Sequence, residues 1–183
     1  MLLDMDYYII FAGIIERDFA NKLVAAINNA KTAKAKKIII LFSSLGGSIQ
    51  EGFTIASVVQ NSEIPISIHA CNNIDSIANV IYLSSKDRSA ESYAKFYLHG
   101  ATASGENDEK GLREKLSAIR TENHRIAQFV SENSNLNFKK VQQMMRTGTT
   151  ITAQQALGCG MVHSINHKEI PAGVPREEIL FVN

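Results

Sequence analysis

A chain of 183 residues is long enough for one well-buried domain and short for two. Its 45% hydrophobic and 20% charged content is ordinary for a globular protein, and Lys+Arg 19 against Asp+Glu 18 leaves a net charge of +1. That balance argues against nucleic acid or an anionic membrane as partner, and the basic stretch from Lys31 to Lys37 reads as a solvated loop before a strand. No span approaches the length of a membrane helix, the N-terminus lacks the parts of a signal peptide, and Cys71 and Cys159 stand far apart. The expectation is a cytoplasmic protein with reduced thiols, no metal site and no cofactor.

In chain order, Tyr7 to Phe11 is a continuous apolar run and reads as a buried strand. From Glu16 to about Lys31, Phe19, Leu23, Val24 and Ile27 recur at helical spacing. Ile38 to Phe42 is a second buried strand running into Gly46-Gly47, and Ile49, Phe53, Ala56 and Val59 share one face of a helix starting near Ser48. Pro65 to Ala70 reads as a third strand, Ser76 to Leu83 as a short apolar helix and Lys95 to Leu98 as a fourth strand. Strands of this kind alternating with helices imply a mainly parallel sheet covered by helices. From about Asn107 a long amphipathic helix begins, with the stripe Leu112, Leu116, Ile119, Ile126 and Val130. Helices at Phe138 to Met145 and Ala153 to Leu157, a break at Gly148 and a strand at Met161 to Ile165 complete the pattern, with no internal repeat.

Three places carry chemistry. Gly46-Gly47 sits at a strand-to-helix junction, where glycine permits positive φ and close approach of a ligand to backbone N–H groups; taken alone, a plain turn with Ser48 as helix cap is the commoner explanation. Ser76 opens an apolar helix, where it or Asp75 is a normal N-cap, yet a serine there also sits in the field of the helix dipole with the Ile77 amide beside it. The arrangement is loosely that of a nucleophile elbow, although Ile74 and Ala78 hold its glycine positions. Among five histidines, His99 closes a strand and precedes Gly100, which makes it the best general base. His124 reads as surface, and His163 and His167 as structural or exposed. His69 and Cys71 share a strand face but stand more than about 6 Å apart at Cα, too far for a dyad.

Together and in this order, the motifs resemble the proteolytic subunit of the Clp protease, ClpP, a serine peptidase of the crotonase-like fold. Ser43-Ser44-Leu45-Gly46-Gly47-Ser48 is similar to the family's Asn-Ser-Pro-Gly-Gly turn, with Leu45 in place of proline. Asn72 to Leu83 resembles its G-x-A-A-S-M-G segment, Tyr97-Leu98-His99 its M-I-H, and Thr152 to Val162 its S-A-x-E-A-x-x-Y-G-L ending. The likeness runs from about residue 7 to 166. It implies a single domain with a mainly parallel sheet flanked by helices, a head over about 7–104 and 148–166 and a protruding handle over about 105–147. It further implies Ser76 as nucleophile, His99 as base, and the amides of Gly47 and Ile77 as oxyanion hole. By the same resemblance the handle pairs two rings of subunits, the assembly is a homo-oligomeric ring or double ring, and the substrate is a peptide or unfolded protein.

Two departures qualify that expectation. The family's triad aspartate falls on Gly148, which can neither fix an imidazole tautomer nor stabilise imidazolium. Thr147, Thr149, Glu106 and Asp108 are the available substitutes and none is compelling; Asp75, beside the serine, is expected to point elsewhere on helical geometry. Only about six residues precede the first strand, too few for the hairpins that meet the ATPase in this family, which argues against dependence on an AAA+ partner. The readings left open are an active serine peptidase, a catalytically impaired relative serving as scaffold or partner subunit, and, less favoured, a crotonase-type acyl-CoA enzyme.

Overall fold

A computed structural model describes residues 5–105 and 108–180. Its architecture is mixed α/β, with one eight-stranded sheet ordered β6-β5-β3-β2-β1-β8 and the short β4 and β7 off that path. The strands are β1 (Asp6–Ala12), β2 (Lys37–Ser44), β3 (Ile66–Asp75), β4 (Asp87–Ala90), β5 (Lys95–Leu98), β6 (Thr149–Thr152), β7 (Ser164–Ile165) and β8 (Arg176–Leu180). Every pairing is parallel except β5 with β6. The helices are α1 (Arg17–Thr32), α2 (Ile49–Gln60), α3 (Ala78–Ser84), α4 (Glu109–Glu132), α5 (Phe138–Thr147) and α6 (Ala153–Gly158).

The continuous apolar runs Tyr7–Phe11 and Ile38–Phe42 become neighbouring strands because residues buried on both faces need cover on both. One face holds the main core, where Phe11, Phe42, Ile68 and Ile74 meet Leu23, Ile55, Ala78 and Val130 from the helices. The other holds a smaller cluster of Tyr8, Ile39 and Leu41, packed against Ile10, Cys71, Ile170 and Val174. The expectation of helical cover is therefore met on one face; on the other, the segment around Ile170 and Val174 does that work.

Three strands lie outside the sequence reading. β4 spells Asp-Arg-Ser-Ala, a polar run, yet Arg88 is buried. Its guanidinium donates to the carbonyls of Met161 (2.8 Å), Ser85 (2.7 Å) and Asn133 (3.1 Å), so a buried cation is satisfied by backbone rather than by an acid. β6 and β8 are exposed or half-buried along most of their length, so neither shows a continuous apolar run. The expected strand at Met161 to Ile165 shrinks to Ser164–Ile165. The long helix begins at Glu109 with Asp108 as its cap, accepting from the Gly111 amide at 2.8 Å; its expected start at Asn107 lies outside the described residues. Of its stripe Ile126 and Val130 are buried, with Ala127 beside them, while Leu112 and Leu116 are 58% and 47% exposed.

One edge of β3 is shared in sequence, β4 pairing with Ser67–Ala70 and β5 with Asn73–Asp75. On its other edge Phe42 pairs with Ala70 but Ser44 with Ile74, so β3 carries extra residues there. Such a bulge bends a strand and re-aims the residues beyond it. The carboxyl ends of β1, β2, β3 and β5 consequently converge, the usual place for a site in a parallel sheet.

Candidate active site

The expected helix from Ser76 begins only at Ala78, with Ile77 as its N-cap residue and no side-chain cap hydrogen bond. The plain capping reading of Ser76 and Asp75 therefore fails. Asp75 is the last residue of β3, and Ser76 turns the chain with φ +58, a left-handed conformation outside the habit of a non-glycine residue. Strain of this kind costs about 1–3 kcal/mol and persists where the surroundings impose it. Here the Ser76 amide donates to the Tyr97 carbonyl at 2.8 Å. The Asn79 amide nitrogen Nδ2 donates to the carbonyls of Ile74 (3.0 Å), Ser76 (3.1 Å) and Tyr97 (3.0 Å). Sequence reasoning missed Asn79, the clamp of the turn; a buried polar residue inside the apolar stretch Ser76–Leu83 was its only signal.

Gly46 and Gly47 have φ of +94 and +146. A Cβ on Gly46 would lie 2.7 Å from the Cβ of Ser76 and 3.4 Å from its Oγ, so only glycine lets the two turns approach. Ile15 pairs with Gly47 as an isolated parallel bridge: the Ile15 amide donates to the Gly46 carbonyl (2.8 Å) and the Ser48 amide donates to the Ile15 carbonyl (2.7 Å). In that pattern the flanking residues make the bonds, and the N–H of Gly47 itself points away from Ile15, along the edge where β3 follows β2. The Ile77 amide stands just ahead of α3, where helix geometry provides no intrahelical acceptor. Ile77 is fully buried, and Gly52 of α2 is held against it, for a Cβ at position 52 would come within 2.2 Å of the Ile77 side chain. Beside the paired glycines a cavity of about 360 Å³ opens, lined by Gly13, Ile14, Ser43, Leu45 and Asn73.

His99 follows β5 directly. Its ring stacks on Tyr97 with centroids 4.9 Å apart, and its Nδ1 lies 2.8 Å from the Gly100 carbonyl. A carbonyl can only accept, so Nδ1 carries the hydrogen and, in the neutral ring, Nε2 is the free base. Ser76 Oγ and the His99 ring share no hydrogen bond among the described residues, although the backbone bond from Ser76 to Tyr97 holds their strand ends side by side.

Asp75 corrects the sequence reading. It is strand, not helix, and its register partner is Tyr97, which places its side chain on the face that carries the Tyr97–His99 stack. Burial raises its pKa, against the pull of Lys95, of His99 and of a hydrogen bond from the Tyr97 backbone. Among the described residues, the buried side-chain oxygens without a hydrogen-bond partner are Asp75 Oδ1 and Asn79 Oδ1, from residues that flank Ser76 in sequence.

The other substitutes for the missing acid are engaged elsewhere or out of view. Thr147 and Thr149 bond each other at 2.9 Å, Asp108 caps α4, and Glu106 lies outside the described residues. Gly148 ends α5 in the left-handed conformation (φ +63), and a Cβ there would meet the Tyr97 hydroxyl at 3.0 Å.

The sequence profile of the Clp protease family matches residues 2–169. The chain belongs to that family. A solved mutant of ClpP1 from Listeria monocytogenes superposes with a TM-score of 0.80 at 15% identity, covering 88% of this chain and 91% of that one. At that identity the likeness speaks for the Clp protease fold. No curated protein sequence matches the chain.

Proposed function

We propose that this Clp protease family member is a serine peptidase acting through an acyl-enzyme, with Ser76 as nucleophile and His99 as general base. The observation that carries the reading is the strained turn: Ser76 is forced to φ +58 at the tip of β3, against Gly46 and hydrogen-bonded to β5, the strand that His99 follows. In the proposed reaction Ser76 Oγ attacks a peptide carbonyl and gives its proton to His99 Nε2. The N–H groups of Gly47 and Ile77 hold the tetrahedral oxyanion. Collapse passes the proton from His99 to the departing amine, and water, activated by the same nitrogen, frees the acyl group.

The Gly100 carbonyl takes over one task of the missing acid, holding the Nδ1–H tautomer. Asp75 takes over the other, its charge and that of an imidazolium favouring one another. The substrate is a peptide or an unfolded protein, and the exposed Leu112 and Leu116 suit α4 to pairing with further copies of the chain in a ring assembly.

The test is covalent labelling with a fluorophosphonate, in which Ser76 Oγ displaces fluoride from phosphorus. Adduct mass on the peptide bearing Ser76, lost in Ser76→Ala, supports the proposal; folded protein that takes up no label overturns it. One observation favours a second reading, an impaired scaffold subunit: no carboxylate stands at position 148 and Ser76 is not bonded to His99. Absence of label would select that reading.

A further inference from the structure

Between α4 and α5 lies a cleft of about 510 Å³ whose lining includes Arg120, His124, Lys139 and Arg146 and no acidic residue. Other cations on α4 have partners: Arg113 pairs with Glu109 and Arg125 with Glu122 at 2.9 Å on the same helix, and Lys115 donates to the Ser104 and Gly105 carbonyls. Arg120, Lys139 and Arg146 have no ion-pair or hydrogen-bond partner among the described residues, so three uncompensated cations face one concavity. Clefts lined by one sign of charge focus the field and concentrate ions of the other.

The cleft adjoins the candidate site. Gly100, whose carbonyl orients His99, is part of its wall. Asn123, on the same wall, accepts from the Ala101 amide at 2.7 Å and so fastens α4 to the segment that follows His99. At the far side, the C-terminal end of α5 sits against Tyr97, on which His99 stacks.

We propose that this cleft receives the carboxylate of an acidic side chain close to the bond under attack, making the chain selective for acidic peptides. The inference rests on the peptidase reading for its use, though not for binding itself. A side-chain carboxylate fits better than a buried apolar group because the polar lining exposes guanidinium and ammonium groups that need an anion.

The experiment uses full-length Ser76→Ala protein and fluorescein-labelled, terminally blocked pentapeptides, Ala-Ala-Glu-Ala-Ala and its Gln counterpart, followed by anisotropy. The Glu peptide should bind about tenfold more tightly at low ionic strength, with the preference lost in about 0.5 M salt. Arg120→Gln or Lys139→Gln, both at exposed positions, should each reduce that preference to about threefold or less without altering the circular dichroism spectrum. A third peptide, all-alanine with a free C-terminus, separates a terminal carboxylate from a side-chain one. Equal binding of the Glu and Gln peptides, or a preference that follows only the free terminus, overturns the proposal. Hydrolysis of both peptides at equal rates by the unmutated protein would sink the cleft and leave the peptidase standing. Selective binding without hydrolysis would do the reverse.

Discussion

Two groupings of serine, histidine and acid lie on the same sheet, and the one proposed as the active site is the less fully bonded. Earlier along β3, Ser89 Oγ lies 2.8 Å from His69 Nδ1 and Glu91 Oε1 lies 3.2 Å from His69 Nε2, a continuous chain of the three residue types. At the strand ends, Ser76 and His99 are not bonded to each other and Asp75 has an unpartnered oxygen. Yet Ser89 lies within regular strand, His69 is 1% exposed, and Glu91 also accepts from His167 (2.9 Å) and the Lys168 amide (3.2 Å). Among the described residues, no buried side-chain nitrogen or oxygen of that cluster lacks a hydrogen-bond partner, and none of its three residues has a positive φ. A site meant to act on a substrate keeps unsatisfied groups and strained backbone, whereas a structural network spends its hydrogen bonds internally.

The comparison breaks most visibly at the serines. Ser76→Ala should lower peptide turnover on the order of 10³-fold or more, while Ser89→Ala should leave turnover within about twofold. A peptidase assay on both variants decides it; loss of turnover in Ser89→Ala with Ser76→Ala active would reverse the assignment of the two regions.

The second test addresses stability. Burial lowers the pKa of His69, although Glu91 pulls it upward; burial alone raises Glu91, but bonds from Lys168, His69 and His167 bring it below its usual value. Both groups bind fewer protons folded than unfolded, so the folded state loses stability as pH falls. Loss from His69 begins as pH drops below its unfolded value near 6.5, and loss from Glu91 follows below about 4.5. His69→Gln should cost about 1–3 kcal/mol at neutral pH by leaving Glu91 with one partner fewer, and should flatten the melting temperature between pH 7.5 and 5.5. An unaltered acid slope in that variant would remove His69 from the account.

Much of this contrast was legible in the sequence and part was not. The paired glycines, Ser76 and His99 stand where strands end, because apolar runs mark buried strands and the residues after them must turn. β4 with Arg88, and the cluster around Glu91, were invisible, since polar residues in a buried strand depend on partners far along the chain: Met161 and Asn133 for Arg88, His167 for Glu91. Asp75 departs from the expectation because α3 begins at Ala78, two residues after the expected start at Ser76, so strand geometry and not helix geometry sets its direction. The bulge in β3 extends the strand through Asn72-Asn73, a pair whose polarity reads as loop.

The smallest expected effect concerns position 148. If the only defect of the site were a missing triad carboxylate, Gly148→Asp would restore turnover strongly, since replacing that acid by an amide costs about 10⁴-fold in the Ser-His-Asp template. The geometry argues otherwise. A Cβ at 148 meets the Tyr97 hydroxyl at 3.0 Å, and the Tyr97 ring is stacked on His99, so a new carboxylate would spend itself on the phenol. His99 Nδ1 is already committed to the Gly100 carbonyl, and the left-handed backbone at 148 penalises any side chain, though least for Asp and Asn. Gly148→Asp should therefore change kcat/KM by about twofold or less, whereas Asp75→Asn, which removes the charge on His99's own face of the sheet, should lower it about tenfold and alter the acid limb of the pH–rate profile. A large gain from Gly148→Asp with no loss from Asp75→Asn would show that the imidazolium looks toward α5 and not toward β3.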